Sequence, residues 1–141
     1  MNTKMSFKFF TMLFVALSVV AFYSCKGDED KKLPPIIELE SGAGLTNADA
    51  TVAKGDSIHA GVHAERTEDE LNTFDVSVFY DGATTSTSIH DEALSGSESD
   101  DGFDRDIDFA VRNQAGSEKY VFTVTDKDGN ISTASFTLTV Q

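Results

Sequence analysis

Apolar and polar residues alternate through most of this chain from residue 58 onward. Ile58, Ala60, Val62 and Ala64 are spaced by two, as are Phe74, Val76, Val78 and Tyr80. Tyr120, Phe122 and Val124 follow the same rule, and so do Ala134, Phe136, Leu138 and Val140. Neighbouring side chains of an extended strand point to opposite sides, so a period of two marks strands with one buried face and one wet face. Turn-forming groups punctuate these runs: Gly42-Ala43-Gly44, Lys54-Gly55-Asp56, Asp81-Gly82 and Asp126-Lys127-Asp128-Gly129-Asn130. Shorter alternating pieces surround Ile37 and Leu39, Val52, residues 84–89, and Phe103, Ile107, Phe109 and Val111. Arg105 falls on the apolar side of the last of these, so its regular part is expected from near Asp106. Residues 95–102 read as a polar loop, and one helical turn is allowed near residues 68–71. About seven or eight short strands without a long helical pattern predict an all-β chain, an antiparallel β-sandwich over residues 34–141.

The first 24 residues follow a different rule. Lys4 and Lys8 precede a run of 14 mostly apolar residues, from Phe9 to Phe22. That run is shorter than the ~20 residues a membrane-spanning helix needs. A basic start, a brief apolar centre and the small Ser24 make residues 1–24 a secretory signal peptide. The single Cys of the chain, Cys25, stands at the expected cut. Ala21-Phe22-Tyr23-Ser24-Cys25 resembles a bacterial lipoprotein lipobox, which implies lipidation of the Cys25 thiol and anchoring to a membrane. Several acyl chains hold a soluble domain where one would not, at ~0.8 kcal/mol per buried methylene. Residues 25–33, with Lys26-Gly27-Asp28-Glu29-Asp30-Lys31-Lys32, form an acidic tether ending where Pro34-Pro35 stiffens the chain. This stretch resembles the export tag of Bacteroidetes-type surface lipoproteins, which implies an outer-membrane anchor facing the cell exterior.

Over residues 34–141 the strand pattern resembles immunoglobulin-like and fibronectin-type-III-like sandwiches of bacterial surface proteins. Residues 35–39, 41–44 and 124–130 are similar to segments of small Bacteroidetes surface lipoproteins with an immunoglobulin-like domain. Tyr120 stands two positions before Phe122, the placement of the tyrosine corner in that fold. The resemblance brings no catalytic motif with it. It implies a non-catalytic binding or accessory module at the cell surface.

Charge and composition bound the partners. The chain carries 24 acidic against 11 basic residues, a net charge of −13. An acidic surface does not suit nucleic acid, whose phosphates need facing Lys and Arg. One Cys excludes an intramolecular disulfide and a cluster of cysteine metal ligands. No Ser-His-Asp order, activated Cys or Gly-rich phosphate loop is present, so no catalytic residues are assigned and an enzyme is not expected. His59 and His63 share a strand face, but four strand residues span ~13 Å, too far for both rings to bind one metal.

Calcium is the one cofactor the sequence offers candidates for. Asp100, Asp101, Asp104, Asp106 and Asp108 are its densest acidic group, and Asp126 and Asp128 lie in a Gly-containing turn. The turn fails the EF-hand rule, because Ile131 and Thr137 stand where Gly and Glu are required. A solvated acidic face and a hairpin with Gly129 at positive φ are the expected arrangement. A calcium-stabilised structural module is the alternative reading, and a glycan-binding component of a surface uptake system is another. The partner, protein or glycan, is not named by any motif. Outward aromatic residues suited to sugars are scarce: Trp is absent, Tyr80 and Tyr120 fall at inner positions, and Phe79 points out.

Two arrangements follow from the sandwich. Thr123, Thr125, Thr133, Ser135, Thr137 and Thr139 should share an outer face with Phe79. If the strand after the 95–102 loop pairs with the histidine strand, Asp104, Asp106 and Asp108 share a face with His59 and His63. The carboxylates should then raise at least one imidazole pKa.

Overall fold

The computed structural model describes residues 31–141. The expected signal peptide, Cys25 and residues 26–30 of the tether lie outside the described residues. Lys32–Gln141 is one compact unit. It holds eight strands, β1 (Ile36–Leu39), β2 (Ala50–Val52), β3 (Ser57–Glu65), β4 (Leu71–Tyr80), β5 (Thr87–Ala93), β6 (Gly102–Ala110), β7 (Gly116–Asp126) and β8 (Ile131–Val140). A single helical turn, α1 (Ser97–Asp100), precedes β6. One sheet has the order β1-β3-β6, the other β2-β8-β7-β4-β5. Placing β3 beside β6, and β4, β7 and β8 in a row, reproduces the neighbour relations of the immunoglobulin fold. The expected immunoglobulin-like β-sandwich is the fold of this domain. Its pairs are antiparallel except at one edge, where β2 runs parallel to β8.

The inner faces are the ones the alternation marks. Ala60, Val62 and Ala64 of β3 are fully buried, and Phe74, Val76, Phe122, Val124 and Leu138 of the large sheet match them. Full burial of each large side chain contributes ~1.5–3 kcal/mol, and with no disulfide possible this apolar layer carries the stability. Phe74 meets Phe103 of the opposite sheet with ring centroids 5.1 Å apart. Phe109 stacks on Tyr120 at 4.2 Å, and Phe136 contacts both Tyr120 and Phe122.

Departures from the sequence expectation sit where polar side chains face inward or small ones fix a turn. The strand expected at 84–89 runs from Thr87 to Ala93 instead. Its inward side chains are His90 and Glu92, paired across from Val76 and Phe74 at the open rim of the sandwich. No apolar alternation marks such an edge strand. β6 starts at Gly102 rather than near Asp106, with Arg105 kept on the inner side. Arg105 is tolerated there because Nε donates to Glu92 and Nη2 to Glu98, both at 3.0 Å. The helical turn forms at Ser97–Asp100, not at 68–71, which leads directly into β4. Ser99 is buried and its hydroxyl donates to the Leu71 carbonyl at 2.5 Å, docking the turn. At the domain's start the Leu33 and Pro34 carbonyls accept from Thr67, and Pro35 is buried.

Candidate functional site

The outer face of the small sheet gathers the chemistry-bearing residues. Antiparallel pairing of β3 and β6 sets His59 opposite Asp108, Gly61 opposite Asp106 and His63 opposite Asp104. His59 Nδ1 lies 2.6 Å from Asp108 Oδ1, and His63 Nδ1 lies 2.6 Å from Asp104 Oδ1. The second nitrogen of His63 faces Glu65 Oε1 at 3.1 Å. Asp106 stands 3.9 Å from His59 Nε2. The hydrogen bond to Asp108 raises the His59 pKa above its ordinary value, and Asp106 adds to it. Asp104 and then Glu65 do the same for His63. Both the expected strand pairing and the direction of the imidazole shifts are therefore present. The rings remain about two-fifths exposed, which keeps the ion pairs screened and small in energy.

A residue the sequence reading passed over completes this face. Glu40 follows β1, and its backbone N–H donates to the Gly61 carbonyl at 2.9 Å. That bond lays the Glu40 side chain across Gly61, where an added Cβ would meet Glu40 Oε2 at 2.6 Å. Ligand atoms of Glu40, His63 and Asp104 lie within 4.8 Å of one another, the one such group among the described residues. The pairing of β1 with β3 brings Glu40 beside the His63–Asp104 pair that β3 and β6 form, and no motif announces it.

The remaining acidic candidates separate. Asp100 closes α1 and Asp101 is its C-cap, while Asp104, Asp106 and Asp108 take alternate positions on β6. Asp126 is buried, and its two oxygens accept from the Asn130 backbone N–H at 2.8 Å and side-chain N–H at 2.9 Å. Asp128 lies in the exposed turn that follows, with Gly129 at φ +87° as the hairpin requires. His59 and His63 each keep their own aspartate.

A second cluster is buried. Glu118 is 0% exposed and stands two residues before Tyr120. Its Oε1 accepts from the backbone N–H of Arg112 at 3.0 Å and from Arg112 Nε at 2.8 Å. Tyr120 donates its hydroxyl to Glu118 Oε2 at 2.5 Å. The expected tyrosine corner is thus replaced, because the phenol bonds a carboxylate and not an upstream backbone group. Burial, helped by Glu118, pushes the Tyr120 phenol far above its ordinary pKa. Arg112 also binds Asp81 at 3.1 Å and lies 4.1 Å over the Tyr80 ring. Every charge in the cluster is answered by a fixed partner, which is the signature of a scaffold.

The outer face of the large sheet is the third surface. Phe79 pairs across from Lys119, and Lys119 from Thr137. These residues, with Gly82, Ala83 and Ser117, line a shallow depression of about 340 Å³. Thr123, Thr133, Ser135 and Thr139 continue the face outward from the core.

No protein-family model and no curated protein matches the sequence. Solved structures of similar shape include a variant superoxide reductase (neelaredoxin) from Ignicoccus hospitalis, with a TM-score of 0.49 and 10% identity over 82% of this chain and 89% of that one. A family 123 glycoside hydrolase from Clostridium perfringens is similar at TM-score 0.47 and 8% identity, over 76% of this chain and 27% of the enzyme. Murine CRIg is similar at TM-score 0.39 and 12% identity, over 76% and 98%. Identities this low carry no residue of those proteins' sites over to this chain.

Proposed function

We propose that this protein is a lipid-anchored, non-catalytic binding or accessory module of the cell envelope, held to the outer membrane through Cys25 and facing outward. The large sheet's outer face carries the reading. It presents Phe79, Lys119 and a field of Thr and Ser around a shallow depression, while the residues behind it are committed to the core. Small β-branched side chains fit a pleated sheet surface and keep the face low around the Phe79 ring. A tethered sandwich with such a face suits contact with a protein or glycan better than turnover of a substrate. Two measurements test it. Cys25→Ser should release the chain from the membrane fraction or leave it unprocessed, and a processed, membrane-bound Ser variant refutes the anchor. Cross-linking on intact cells should map contacts to the Phe79–Thr137 face, and contacts confined to β6 refute the assignment of the surface.

A further inference from the structure

One part of the small sheet's exposed acidic face gathers side chains that lie far apart in sequence. Glu40, His63 and Asp104 come from three separate segments, yet their ligand atoms converge within 4.8 Å. The fold, not a run of acids in sequence, brings them together. Gly61 lies beneath the cluster, and its missing side chain is what lets the Glu40 carboxylate cross the strand. Glu65 holds His63 Nε2 from the far side of the ring at 3.1 Å. With Nε2–H given to Glu65, the Nδ1 nitrogen is turned toward Asp104. Metal-binding imidazoles are held in this way, one nitrogen on a carboxylate and the other on the cation.

We propose that Glu40, His63 and Asp104 form a surface site for a divalent cation of the zinc class, with Glu65 as the positioning residue for the imidazole. One nitrogen and two carboxylate oxygens are a zinc donor set, bound at about 2.0–2.2 Å with a fourth place open to water. Such an ion sets its ligand atoms about 3.3 Å apart, so side-chain rotation at this exposed site parts His63 Nδ1 from Asp104, now at 2.6 Å, and brings Glu40 into range. Calcium fits poorly, since it takes six to eight oxygens and leaves imidazole to softer ions. On binding, the cation takes the Nδ1 lone pair and the proton there goes to solvent, while Nε2–H stays with Glu65. Glu38, paired opposite His63, and Asp106 add negative charge around the position.

Calorimetric titration of the full chain with zinc chloride near neutral pH tests the site. The Cys25→Ser background removes the competing thiol. One zinc per chain is expected, with micromolar affinity. His63→Gln and Glu40→Gln should each weaken it at least tenfold, and Glu65→Gln should weaken it by ~10-fold through the imidazole. Gly61→Ala should weaken it as well, because the methyl takes the place of the Glu40 carboxylate. His59→Gln should leave affinity within twofold. Melting of each metal-free variant at the parent temperature shows that the fold is kept; for any variant that melts lower, the zinc-induced shift of the His63 imidazole NMR signals in the parent chain decides instead. No saturable binding, equal binding in the His63 and Glu40 variants, or an equal loss with His59→Gln overturns the proposal.

Discussion

Tyr120→Phe removes one oxygen from the buried cluster and nothing else. Phe keeps the ring, its stack on Phe109 at 4.2 Å and its contact with Phe136, so no cavity opens in the aromatic layer. What is lost is the donor to Glu118 Oε2, an oxygen of a side chain with no solvent exposure to replace it. A hydrogen bond to a charged group contributes ~1.5–3 kcal/mol, and an acceptor left bare inside the protein forfeits that contribution. Arg112 is about a quarter exposed and still satisfies Oε1, which sets the expected loss in the lower half of the range, at about 2 kcal/mol. For a domain of this size that corresponds to ~8–12 °C in melting temperature. Urea unfolding at neutral pH measures it, with an unchanged m-value as the sign that only stability moved. In a Glu118→Gln background the acceptor is neutral, and Tyr120→Phe should cost only about 1 kcal/mol. A loss below ~0.5 kcal/mol in the parent chain would refute the reasoning, since it would mean that water reaches Oε2.

Other perturbations follow from the same structure. The folded-state pKa of His59 is raised by Asp108 and Asp106, so its pairing stabilises the fold fully below the ordinary value of 6.5 and fades as pH rises through the raised value. Asp108→Asn should bring the NMR-titrated pKa of His59 back toward 6.5, and an unchanged value would sink the pairing account. Gly102 has φ +135°, and a Cβ there would collide with the rigid Ala64 carbonyl, so Gly102→Ala should cost at least ~2 kcal/mol in urea unfolding. Arg105→Met leaves Glu92 and Glu98 without their shared cation and should cost ~1 kcal/mol, a loss that 1 M salt shrinks in the parent chain.

The sequence made the core readable because core strands obey one rule, apolar every second residue. Tyr120, Phe122, Val124, Phe136 and Leu138 are all buried where the period puts them. The pairing of β3 with β6 was also readable, since a sandwich of this type leaves few places for an acidic strand after a long loop. Two kinds of feature escaped. β5 turns His90 and Glu92 inward at a rim where Arg105 answers one of them, so composition pointed to the wrong residues. Glu118 lies in phase with Tyr120 and Phe122, and its inner position was available from the same alternation. An acid there looks like an error of phase until Arg112 is seen beside it, and Arg112 arrives from the loop before β7. Glu40 needed knowledge of which strand covers β3. Periodicity speaks of faces, and neighbours across a sheet come from topology.

The open rim of the small sheet has a consequence for chains crowded together. β6 ends that sheet, so every second residue along its nine-residue length turns its backbone N–H and C=O outward, a length sufficient to recruit a strand from another molecule. Two copies meeting there in antiparallel fashion around Asp106 would set Asp106 against Asp106 and Asp104 against Asp108. Like charges directly opposite on paired strands repel. The alternating aspartates therefore act as a guard against zipping of one copy onto the next, and the guard matters most where copies are concentrated.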